Sequence, residues 1–300
     1  MTLGGVIDIL YKKELYIQRT YLKKEKLLFL FLILLIVIIP NMIDTASATD
    51  INNDNNVKSN STYSIGYFDK NVGGNVLKNS KISKNLPNST LSKKIVSMSK
   101  KGSVILKFGN GNGPKILVCA GIHGDESAAS ISTLKFLENI KNKKIKGTIY
   151  VIPFVIPKNT AINTRNWYNP NKGYDVDPNR CVNVSGTPGY KIVQFAKKNN
   201  VKFIIDVHSG KGFTNYKNGF VYANKRPTSI EETKWLKYIK TVNPGIRYAI
   251  FDIVDIRGYS KVNNINSITL EVEKDKGPIS HWAQIEYKMI IRACKYFNLF

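Results

Sequence analysis

Three near-continuous apolar runs limit what this chain can fold into: KILVCA at 115–120, TIYVIPFVI at 148–156 and VKFIIDV at 201–207. A strand that is apolar at every position must be covered on both faces. Helical patterns alternate with these runs. SAASISTLKFLENI places Ala128, Ile131, Leu134 and Leu137 at helical spacing. PGYKIVQFAKKNN, SIEETKWLKYIKTV and SHWAQIEYKMIIRACKYF read as further helices, and FVYAN, IRYAIFDIV and SITLEVE as further strands. SVILKFGNGNGPKILVCAGI reads as two strands joined by a Gly-Asn turn. The expected class is α/β, a sheet packed between helices.

The N-terminus has a different composition. A basic flank precedes thirteen apolar residues, Leu27–Ile39, then Pro40 and the small-residue triplet Ala46-Ser47-Ala48. This is the pattern of a secretory leader. Thirteen helical residues span roughly 20 Å, short of the roughly 30 Å hydrocarbon core. Residues 1–48 are therefore expected to be a signal peptide, with an uncleaved anchor through 27–43 as the alternative. The protein is expected to be exported, extracellular or at the cell surface. Residues 49–95 are rich in Asn, Ser and Lys and read as a linker. That leaves 96–300 as the folded domain.

The chain carries 45 Lys+Arg against 21 Asp+Glu, a net charge of +24. Removing 1–48, with six basic and four acidic residues, leaves +22. Such a surface favours anionic envelope polymers. No nucleic-acid recognition motif is present, so nucleic acid is not an expected partner. Three cysteines, Cys119, Cys181 and Cys294, make no disulfide framework and read as small buried residues.

Only three histidines occur. His123 stands three residues before Glu126, directly after the strand 116–120. His208 ends the strand VKFIIDV. In open α/β sheets, sites form beyond the carboxyl ends of strands, so both rings can reach one mouth. Zinc accepts imidazole nitrogen and carboxylate oxygen, and hydrolytic sites keep one position open. His281 opens the last helix and reads as a surface residue. Asp206 shares a strand face with His208 and could orient its ring. Glu271 and Glu273 are both candidates for a base, and a period of two puts them on the same strand face. Arg165, Asn179 and Arg180 lie in a polar stretch, and a guanidinium can clamp a carboxylate.

Taken in order, AGIHGDE, AINTRNWY…DVDPNR, IIDVHSG and SITLEVEKDKG resemble the zinc metallocarboxypeptidase superfamily. The similarity is to its succinylglutamate desuccinylase/aspartoacylase-like deacylases and its murein-peptide amidases, over roughly residues 100–300. The resemblance implies an α/β/α sandwich around a mixed, twisted sheet of about eight strands. It implies one zinc held by His123, Glu126 and His208, and Glu271 as the base. Arg165 would polarise the scissile carbonyl, and Asn179 with Arg180 would bind a substrate carboxylate. The implied activity is amide hydrolysis beside a free carboxylate, in a peptide, N-acyl amino acid or cell-wall peptide. The rivals are an ordinary carboxypeptidase on peptide C-termini and an inactive surface-binding protein on the same scaffold. Tyr259 is the candidate for an active-site tyrosine.

Overall fold

The computed structural model describes residues 63–300, apart from 110, 214, 243–244 and 249–253. The expected leader and residues 49–62 lie outside the described residues. Among the described residues, no helix is long and apolar enough to cross a membrane.

Eight strands form one sheet: β1 (Tyr63–Asp69), β2 (Ser103–Phe108), β3 (Lys115–Ala120), β4 (Thr148–Ile152), β7 (Phe203–Gly210), β8 (Phe220–Ala223), β9 (Ile246–Tyr248) and β10 (Asn266–Glu273). Their order is β1-β2-β4-β3-β7-β10-β8-β9. The centre, β4-β3-β7-β10, is parallel, and antiparallel pairs on either side make the sheet mixed. A separate two-stranded ribbon joins β5 (Trp167–Asn169) to β6 (Tyr174–Val176).

Alternate side chains feed two cores. Ile116, Val118, Phe203, Ile205 and Val207 face one layer, while Leu117, Cys119 and Ile204 face the other. The first layer holds α1 (Ser80–Ser83), α2 (Thr90–Ser99), α3 (Ser127–Ile140), α6 (Ile230–Val242) and α8 (Ile279–Lys295). The second holds α5 (Pro188–Lys198) and α7 (Ile256–Val262), with the short α4 (Pro157–Ala161) beside it. This is the expected three-layer α/β sandwich.

Two expectations need correction. From Tyr63 on, the supposed linker is part of the fold. β1 pairs along β2 as an edge strand, and Val76, Ile82, Leu91, Ile95 and Val96 enter the core. Its many Asn and Ser residues cap the short elements: Asn79 and Ser89 accept hydrogen bonds from the first turns of α1 and α2. The strands β2 and β3 are not a hairpin either, because β4 inserts between them. The three cysteines are free and buried, as expected.

The chain leaves β3 through α3 to reach β4 on one side, then crosses back to β7 on the other. The carboxyl ends of β3 and β7 are thus a topological switch point, where a crevice opens.

Candidate metal centre

The loop after β3 is shaped by two glycines. Gly121 has φ +75°, a left-handed turn that glycine enters without strain. At Gly124 a Cβ would lie 2.1 Å from the Asn159 carbonyl carbon. The close approach turns His123 inward and sets Glu126 at the start of α3. Both are buried.

His208, at the end of β7, meets them. The His123 and His208 rings lie 5.0 Å apart, centroid to centroid. Each ring directs Nδ1 at the same carboxylate: His123 to Glu126 Oε1 at 2.8 Å, and His208 to Glu126 Oε2 at 2.8 Å. Ser209 N–H also donates to Glu126 Oε2 at 3.0 Å. The far nitrogens meet carboxylates too: His123 Nε2 lies 2.9 Å from Asp177 and His208 Nε2 2.8 Å from Asp206. The ligand-type atoms of His123, Glu126 and His208 all lie within 4.8 Å of one another, a group that could hold a metal ion.

The titration of these groups follows from their neighbours. Burial opposes the charge on Glu126, yet the two imidazoles outweigh it and hold its carboxyl well below the usual range. Burial would likewise lower the His208 pKa, but Asp206 and Glu126 raise it well above its ordinary value. Asp177 is pulled far down, against burial, by His123 and Arg165.

β10 lies beside β7 in parallel, with Glu271 directly opposite His208. Glu271 faces the cavity, and its Oε2 is buried with no hydrogen-bond partner among the described residues. Desolvation, with help from Glu126 and Asp206, pushes its pKa up to about 8. Glu273 is different: its carboxylate accepts from the backbone N–H groups of Phe213, Lys274 and Asp275. Packing thus separates two glutamates that spacing could not.

Arg165 stands over the centre, its side chain 41% exposed. It donates to Glu126 at 3.1 Å and to Asp177 at 2.9 and 3.2 Å. Asn179 is buried, and its amide is committed within the protein. Nδ2 lies 3.2 Å from His208 Nε2, and Oδ1 accepts from Ile256 N–H at 2.9 Å. Arg180 is exposed and lines the same cavity of about 430 Å³.

Some residues of this cavity gave no sign in the sequence. Arg257 is buried, donates to Asn224 and Asp255, and lines the wall. Arg247 lies 5.2–5.6 Å from the ring centroids of Tyr216, Phe220 and Tyr222. Asp177 was also missed, although it stands two residues before Asn179. Tyr259 is not at the cavity: it stacks on Tyr190 in the second layer, while Tyr222 and Tyr248 line the wall. His281 is exposed, as expected.

Fold and site together define an α/β protein with a candidate His-Glu-His metal centre at the carboxyl ends of parallel strands. The sequence matches the model of the succinylglutamate desuccinylase/aspartoacylase catalytic domain over residues 112–284, and the chain belongs to that family of hydrolases. Its fold is similar to that of a succinylglutamate desuccinylase/aspartoacylase from Rhodobacter sphaeroides (TM-score 0.54, 15% identity, covering 84% of this chain and 70% of that one). An aspartoacylase family protein from Mesorhizobium loti is similar to the same degree (0.55, 15%, 84% and 69%). A tripeptide-bound cell shape determinant from Helicobacter pylori is similar over less of the chain (0.50, 15%, 65% and 55%). Comparison with curated protein sequences gave no match.

Proposed function

We propose that the chain is an exported, zinc-dependent amide hydrolase that cuts beside a free carboxylate in a peptide, N-acyl amino acid or cell-wall peptide. One observation carries this reading: carboxylates occupy all four nitrogens of His123 and His208. A neutral imidazole has one N–H, so without a cation the rings meet four acceptors only by each taking up an extra proton, the direction in which Asp206 and Glu126 push His208. A divalent cation held by His123, Glu126 and His208 would take the place of those extra protons. The Nε2–H groups then donate to Asp177 and Asp206, which fixes the tautomer of each ring. It also balances a buried surplus of negative charge.

Zinc, when bound, supplies Lewis-acid polarisation and lowers the pKa of water. The remaining work falls to the protein. Glu271 takes a proton from the attacking water and returns it to the leaving amine. Burial and the nearby Glu126 and Asp206 raise its pKa to about 8, and a cation beside it would favour the ionised form the base requires. Arg165 donates to the oxygen on which negative charge develops. Arg180 clamps the substrate carboxylate, and Asn179 Oδ1 holds the start of α7 in place by accepting from Ile256 N–H. The basic wall of Arg247 and Arg257 favours an anionic substrate.

The leader-like pattern of residues 1–48 and the +22 charge of the remaining chain support export and attraction to an acidic envelope. Metal analysis with activity against acyl amino acids and small peptides tests the reading. Zinc with turnover that is lost in Glu271→Gln supports it, and a metal-free protein without turnover overturns it. Release of C-terminal residues from unrelated peptides would favour the plain carboxypeptidase instead.

A further inference from the structure

A second cavity, of about 480 Å³, opens beside the β5–β6 ribbon. It shares no lining residue with the reaction cavity. We infer that this cavity binds an oligosaccharide, stacked on Trp167.

Trp167 is half-buried. It packs against the second core layer and also lines the cavity. The core holds the ring in place, so little order is lost when a ligand stacks on it. The other tryptophans are inside: Trp235 is 0% and Trp282 7% exposed.

Around the ring stand uncommitted polar groups. The side-chain amides of Asn71, Asn166 and Asn171 and the Trp167 indole N–H make no hydrogen bond among the described residues. Each amide offers two donors and one acceptor oxygen. Neighbouring sugar hydroxyls, each a donor and an acceptor, match that set. The apolar C–H face of a pyranose matches an indole face.

Charge argues the same way. In a chain of +24, this cavity is lined by Lys158 and Lys191 against Asp69 and Asp175, a neutral balance. Lys191 is already paired to Asp69 at 2.7 Å. An anionic ligand would call for a surplus of cations, which a neutral, hydroxyl-rich ligand does not. The ribbon bearing Trp167 runs between Arg165 and Asp177 of the metal centre. A glycan held here would keep attached peptides close to the reaction cavity.

Calorimetric titration of the full chain with chitotetraose, cellotetraose and adenosine tests this. Saturable binding of a tetrasaccharide is expected, with a blue shift of tryptophan emission reporting Trp167. Affinity should fall at least tenfold in Trp167→Ala and also in the doubly substituted N166A/N171A, which keeps the indole and most of its packing. Removing metal should leave binding unchanged, so this inference and the hydrolase reading can fail separately. No saturable heat with either tetrasaccharide, tighter binding of adenosine, or unchanged affinity in both variants would overturn it.

Discussion

The two cavities of this molecule are built in opposite ways. At the metal centre nearly every polar atom is committed: both imidazoles, Glu126, Asp177, Asp206 and Arg165 hold one another in a closed network. Beside the β5–β6 ribbon, three side-chain amides and an indole N–H have no hydrogen-bond partner among the described residues, and the charges cancel. Fixed, charged groups of one arrangement suit a cation and a reaction that develops charge. Free, neutral groups around a rigid ring suit a ligand that is bound and released. Two buried atoms of the first cavity stand apart from this network, without a partner among the described residues: Glu271 Oε2, and Arg257 Nε in the wall. A group left unsatisfied in an otherwise closed network is where chemistry is expected.

This contrast can be broken at several points. Glu271→Gln should produce the largest effect, a fall in kcat of about 10²–10⁴-fold with metal content unchanged. A variant that keeps its activity would remove Glu271 as the base. Asp177→Asn and Asp206→Asn leave the ligand atoms intact but loosen the rings. Each should weaken zinc binding about 10–100-fold, measured by competition with a chelator, and unaltered affinity would contradict the orienting role.

The smallest effect concerns Glu286 on α8. It is fully buried, accepts one hydrogen bond from Ser132, and burial raises its pKa well above 4.5. A carboxyl whose pKa is raised in the folded state stabilises most at low pH. Above pH 4.5 the unfolded chain releases the proton first, so stability falls as pH rises toward the folded value. The slope can reach about 1.4 kcal/mol per pH unit. Glu286→Gln should therefore gain on the wild type as pH rises, read from urea unfolding curves. Parallel curves would show that Glu286 keeps an ordinary carboxyl pKa.

The sequence revealed the parts of the site that follow from chain direction. His123 and His208 both end apolar strands, and parallel pairing brings strand ends together. Asp177 stayed hidden because a carboxylate in a polar loop carries no periodic signal, and only folding sets it against His123. Arg257 was hidden differently: it lies in a seven-residue helix too short to show a period. The segment from Tyr63 was misread because its apolar residues are few, although they occupy core positions. Strand order eluded the reading as well. Apolar patterning marks β2 and β3 as strands, yet says nothing of β4 sliding between them.

Metal analysis of the purified protein beside His208→Ala tests the centre most directly. About one zinc per chain is expected in the first and almost none in the second, with the fold retained by circular dichroism. Equal metal content in the two proteins, or none in either after zinc is supplied, would contradict a cation shared by His123, Glu126 and His208.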